Sequence, residues 1–180
     1  MAIGLLIMRV IVGALFVGHG VQKLFGWFGG HGVEGTAGLM ESLRYRNGRV
    51  AAVAAGVTET VSGVLLALGL LTPLAAAGIL GVMLNAMVSM HLRNGLWNAN
   101  GGVELPLVYA VAVAALAFTG PGALSLDRLF GLELAGVTYG IGAVVLGIAA
   151  GLVALTQRHP ERVSGPEAVP AQEAREKVAP

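Results

Sequence analysis

Apolar residues run along this chain in five blocks separated by short polar segments. The blocks cover about Ile3 to Phe25, Val50 to Leu71, Leu74 to Met90, Val103 to Phe118 and Ala135 to Leu155. They are too long for a two-layer soluble domain. A bilayer core of about 30 Å needs roughly 20 apolar residues as a helix, so each block predicts a transmembrane span, the fourth being the shortest. Pro73 stands between the second and third blocks, after only Leu71 and Thr72. Proline suits the first turn of a helix, so this junction predicts a tight helical hairpin. The first block reads as a span and not as a signal peptide. Met1-Ala2-Ile3 offers no positive n-region and no clean small-x-small site follows.

Composition agrees: 56% of residues are hydrophobic and 12% charged, against about a quarter charged in a soluble domain. The expected class is an all-α membrane protein, a four-helix transmembrane bundle over 1–130, a fifth transmembrane helix over 131–156 and a disordered cytoplasmic tail over 157–180. That tail mixes Pro160, Pro166, Pro170 and Pro180 with charges. A net charge of +1 gives no clustered basic surface for nucleic acid. The absence of cysteine removes disulfides, thiolate catalysis and iron–sulfur ligation.

Five spans put Lys23, Arg44, Arg46, Arg49, Arg93, Arg158, Arg162, Arg175 and Lys177 on one side and Arg9 and Arg128 on the other. This bias predicts an outside N-terminus and a cytoplasmic tail.

Ionisable groups inside a span are costly and mark function by default. The first helix carries Arg9, His19, Gln22 and Lys23, and Arg9, His19 and Lys23 fall within a sector of about 80°. For Lys23 the alternative is snorkelling to the interface; for His19 it is a structural hydrogen bond. Glu59 lies about 15 Å into the second helix, flanked by Thr58, Thr60 and Ser62. A carboxylate at that depth pairs with a cation from another helix (His19, Lys23 or Arg9) or takes a proton. The third helix adds Asn85 and Ser89 on one face and His91 at its end, followed by a loop with Asn94, Trp97 and Asn98. Glu104 opens the fourth helix, where the helix dipole favours a carboxylate.

Depth unites these residues. His19, Gln22, Lys23, His91 and Glu104 belong to one leaflet, with Glu59 just beyond them, and together they predict a polar pocket within apolar walls. Two histidines and two carboxylates suit zinc or non-haem iron by ligand type, yet no local spacing motif supports a metal or haem. The fifth helix has no charge from Ala135 to Leu155, and Gly136, Gly140, Gly147 and Gly151 form a stripe of about 60°. It predicts close packing on a helix of the same subunit or of a second copy.

Several segments in order resemble the DoxX family of small bacterial membrane proteins: 19–26 (HGVQKLFG), the glycine-rich 28–36, Glu59, the 69–73 hairpin (GLLTP), 91–98, 101–106 (GGVELP) and 119–127. The likeness spans roughly 3–130. It implies a four-helix membrane domain and, from the subunits that gave the family its name, quinone-linked oxidation. The fifth helix and charged tail depart from the pattern.

Three functions follow as expectations. One is a redox-associated, quinone-linked membrane subunit of the cell membrane, with Glu59, His19, His91 and Glu104 as its chemical groups and Gln22, Lys23, Asn94 and Asn98 as binding groups. A second is a non-catalytic anchor recruiting soluble redox enzymes through the basic Arg44-to-Arg49 stretch. The third is a small-solute or proton transporter, although no inverted or direct repeat is evident.

Overall fold

The computed structural model describes residues 2–159, so the tail from residue 160 onward lies outside the described residues. Five long helices follow the five apolar blocks. They are α1 (Ala2–Phe25), α3 (Gly48–Leu68), α4 (Thr72–Ala86), α5 (Glu104–Thr119) and α7 (Val137–Thr156). Two short helices join them: α2 (Gly32–Ser42) before α3, and α6 (Leu126–Leu129) before α7. Beyond Ala86 the third span continues as a π turn, Met87–His91, and a 3-10 turn, Leu92–Asn94. With the third span counted to Asn94, α5, at 16 residues, is the shortest of the five spans. The molecule is an all-α membrane bundle, as its hydropathy requires.

The hairpin between α3 and α4 is as tight as Pro73 suggested. Gly69 ends α3 with φ 63°, its N–H and that of Leu70 returning to carbonyls of the last turn. At the other end of α3, Asn47 caps the helix by accepting from Val50 N at 3.0 Å. α2 was not foreseen. Its glycines, Gly32, Gly35 and Gly38, weaken any helical pattern, and it buries only Thr36 and Ala37, against α3 and α1.

Glycine decides how α1 meets α3. Gly13 and Gly20 on α1 face Gly63 and Gly56 on α3, and both pairs are spaced by a heptad. A Cβ on Gly13 would stand 2.5 Å from Gly63 O, and one on Gly20 would stand 2.7 Å from Gly56 O. The backbones therefore touch, which is the driving contact between helices in lipid. Leucine at position 20 has no space. Gly20→Leu is expected to lower the thermal unfolding midpoint in detergent by an amount equivalent to roughly 2–3 kcal/mol, whereas Gly18→Leu, on open space, is expected to leave it unchanged.

The same device holds α7. Gly147 sits over Ala77 and Leu80 of α4, Gly151 over Gly81 and Leu84, and Gly140 over the Phe118 ring of α5. Gly140, Gly147 and Gly151 are thus buried within the chain and offer no surface to a second copy; Gly136, the remaining stripe residue, caps α7 at φ 97°. α4 is the central helix, touching α3, α5 and α7, and Ile79 on it is fully buried with Phe16, Leu66, Val113 and Leu116. Outward-facing side chains such as Ile7, Val61, Val111, Ile141 and Val145 are half or more exposed. In water that surface would aggregate; in lipid it is solvated.

Candidate functional site

α1, α4 and α7 finish, and α3 and α5 begin, at one end of the bundle. The segments at this end carry Arg44, Arg46, Arg49, Arg93 and Arg158, so it is the basic end. Here a cavity of about 550 Å³ lies among α1, α3, α4 and α5, closed on one flank by Leu39 and Met40 of α2 and on another by Ala150 and Ala154 of α7.

Its defining polar feature is an ion pair. Lys23 Nζ lies 2.6 Å from Glu59 Oε2, with Glu59 4% exposed and Lys23 25%. Of the three partners foreseen for Glu59, Lys23 takes the direct contact. A helical side chain leans toward the N-terminus of its helix, so Lys23 runs back into the bundle, where its Nζ also donates to the His19 carbonyl at 3.4 Å. This is the opposite of snorkelling to the near interface. Arg9 lies at the far end of α1, fully buried, and donates to the carbonyls of Ala67 and Leu124.

The remaining predicted residues divide. His19 lines the cavity and meets Phe16 edge-to-face at 6.4 Å; Phe16 in turn meets Tyr109 at 5.4 Å. His91 and Asn98 also line it. Gln22, Asn94 and Glu104 are not in the wall and hold loops instead. Gln22 Nε2 donates to Phe28 O at 3.1 Å, Asn94 Nδ2 to Gly101 O at 3.2 Å, and Glu104 Oε2 accepts from Asn98 N at 2.8 Å. Among the described residues no group of three or more His, Asp or Glu side chains is arranged to hold a metal ion.

Sequence reasoning missed Tyr45 and Tyr109. Tyr45 is buried in the wall and its Oη donates to Asn85 Oδ1 at 2.6 Å. Its signal was faint: one aromatic between Arg44 and Arg46. The Arg158 guanidinium lies 6.0 Å above the Tyr45 ring while Nε donates to Leu43 O at 2.8 Å. Arg46 N donates to Gln157 O at 3.0 Å and His159 N to Arg44 O at 2.9 Å. Gln157–His159, placed in the tail by the sequence, thus pair with the loop between α2 and α3.

A second polar knot occupies the opposite end. Asp127, fully buried, accepts from Leu71 N at 2.7 Å, Thr72 N at 3.1 Å and Thr72 Oγ1 at 2.8 Å. It thereby caps the start of α4, where exposed amides and the helix dipole favour an anion. The same carboxylate acts on Arg9 through its field, without a direct ion pair between them. The motif containing Asp127 was noticed; its partner 55 residues away was not legible.

A bundle of apolar helices with an ion-paired cavity at one end defines a multi-pass integral membrane protein, in contact with the lipid bilayer. The DoxX family profile matches residues 4–92. The chain belongs to the DoxX family. It is 34% identical over 129 residues to inner membrane protein YphA of Escherichia coli K12, covering 69% of this chain and 88% of the relative. A membrane protein of Mycobacterium tuberculosis is 31% identical over 130 residues, 67% of this chain and 77% of its own length. A protein of Haemophilus influenzae is 33% identical over 132 residues, 68% and 87% of the two chains. No solved structure matches.

Proposed function

We propose that this chain is a redox-associated subunit of the bacterial inner membrane whose cavity receives a quinone headgroup. The observation that carries the reading is the cavity itself: apolar walls around the Lys23–Glu59 pair, whose carboxylate is buried, at the depth where a lipid-soluble ligand arrives. Its volume falls within the range of small-molecule sites, roughly 300–1,000 Å³. A quinone needs hydrogen-bond donors for its carbonyls and an apolar slot for its tail. Two wall groups have no hydrogen-bond partner among the described residues and suit the first task, Asn85 Nδ2 and the Tyr109 hydroxyl. Phe16, Leu105 and Pro106 supply the second. When bound, a quinone would supply two-electron redox chemistry; Glu59, held by Lys23, is the wall's proton-exchanging group. The name of the Escherichia coli relative supports the inner membrane, and the basic end supports a cytoplasmic placement of the cavity and an outside N-terminus.

The first test is solvent extraction of purified protein. Co-purified quinone is expected, and Glu59→Gln and Asn85→Ala are each expected to lower it about tenfold or more. If both variants keep full quinone content and full function in respiring membranes, the reading is wrong. Soret absorbance would point to haem. Proton uptake by liposomes that vanishes in Glu59→Gln would point to transport, and crosslinking to a soluble dehydrogenase with both variants active would point to an assembly role.

A further inference from the structure

His91 is held more firmly than any other cavity-lining histidine, and its orientation bears on what the cavity binds. The α4 backbone passes into the π turn Met87–His91 just where the span meets the basic end. Such turns add a residue to one helical turn and recur at functional sites. Here the turn places Ser89 and His91 in the wall, and Ser89 Oγ donates to Asn85 O at 2.6 Å.

The His91 ring is then fixed by one carbonyl. Nδ1 lies 2.7 Å from Gly101 O. That oxygen also accepts from Asn94 Nδ2 at 3.2 Å. The loop behind it is tightly built. Gly101 has φ 75°, Val103 N donates to Gly95 O at 3.0 Å, Glu104 N to Leu96 O at 2.9 Å, and Glu104 Oε2 holds Asn98 N. A Cβ on Gly102 would stand 2.7 Å from Leu96 O. Asn94, Asn98 and Glu104, foreseen as members of a pocket, therefore position the Gly101 carbonyl.

A carbonyl oxygen has no hydrogen to give. Nδ1 must donate, and a neutral imidazole has only one N–H. Nε2 is consequently a bare acceptor on a ring that lines the cavity and has no second partner among the described residues. A ligand seated there has to bring an O–H or N–H. A quinone carries only acceptors, so one of its carbonyl lone pairs would oppose the Nε2 lone pair. The hydroquinone donates to Nε2 from one hydroxyl and still accepts from Asn85 Nδ2.

We infer that the cavity selects the reduced, hydroxyl-bearing form of its ligand, a hydroquinone over the matching quinone, through Nε2 of His91. The inference rests on the quinone reading of this cavity. The experiment uses the full chain in lipid nanodiscs, anaerobically and at about pH 8.5, where an ordinary imidazole is neutral. Binding of a short-chain benzoquinone is compared with binding of its hydroquinone. The hydroquinone is expected to bind roughly tenfold more tightly. His91→Asn keeps an amide N–H for Gly101 but lacks the ring acceptor. It is expected to abolish the preference while leaving quinone affinity within about twofold; His91→Gln serves where the Asn variant does not fold. Equal affinity of the two forms in the unaltered chain, or a preference that survives in the variants, overturns the inference and leaves the quinone reading standing. Binding of neither form overturns both.

Discussion

Lys23→Met is expected to destabilise the protein by about 3–5 kcal/mol, and Glu59→Gln by only about 1–2 kcal/mol, although the two remove opposite ends of one ion pair. The asymmetry follows from burial. Glu59 is 4% exposed and Lys23 25%. Methionine at position 23 leaves a buried carboxylate without its ion-pair partner inside a span. Glutamine at position 59 leaves an amine two residues from the end of α1, with a flexible stem that can turn toward the headgroups. Unfolding midpoints in detergent would measure both. The double variant Lys23→Met/Glu59→Gln is expected to recover a large part of the loss, since neither charge is then stranded. Equal losses in the two single variants, or strict additivity in the double one, would contradict this picture. The milder cost of Glu59→Gln also makes it the right variant for testing ligand binding.

The second large effect belongs to the opposite end. Asp127→Ala removes three hydrogen bonds from the start of α4 and a negative charge whose field reaches the fully buried Arg9. Losing the cap alone costs about 1 kcal/mol, and the buried donors of Thr72 left without an acceptor raise the total to about 3–4 kcal/mol. Asp127→Asn retains an acceptor for Leu71 or Thr72 and is expected to cost about half as much. Guanidinium is unsuitable for an arginine-dependent knot, so thermal midpoints in micelles are the appropriate reading. An alanine variant within about 1 kcal/mol of the parent would show that the knot does not hold the α3–α4 hairpin.

Much of this architecture was open to reading because lipid imposes length. Five blocks of 16 to 23 residues became α1, α3, α4, α5 and α7 with small shifts at their ends, and Pro73 marked the hairpin. Depth arithmetic also gathered His19, Lys23, Glu59 and His91 correctly, since α1, α3 and α4 must share an end. What failed was choosing partners from helical phase alone. Arg9 and Lys23 share a sector of α1 yet are separated by about 21 Å along its axis, so only Lys23 reaches Glu59. The heptad glycines of α1 and α3 were as visible as those of α7, but a surface pattern does not say which helix it meets. Tyr45 to Asn85 and Asp127 to Thr72 span 40 and 55 residues. No local rule links residues so far apart, and both pairs became readable only once the helices were set side by side.

The bond between Arg158 and the Leu43 carbonyl joins residues 115 positions apart, and it has a consequence in time. Ala150, Ala154 and Gln157 belong to the cavity wall, so the wall is unfinished until the last helix has been made and inserted. At about 5–20 residues per second of synthesis, the stretch from Gly120 to Arg158 leaves an interval of roughly two to eight seconds. Throughout it, α1 to α5 stand in the membrane with the flank later covered by α7 open to lipid. A bulky lipid-soluble molecule has its widest entrance then, and α7 shuts the flank behind it.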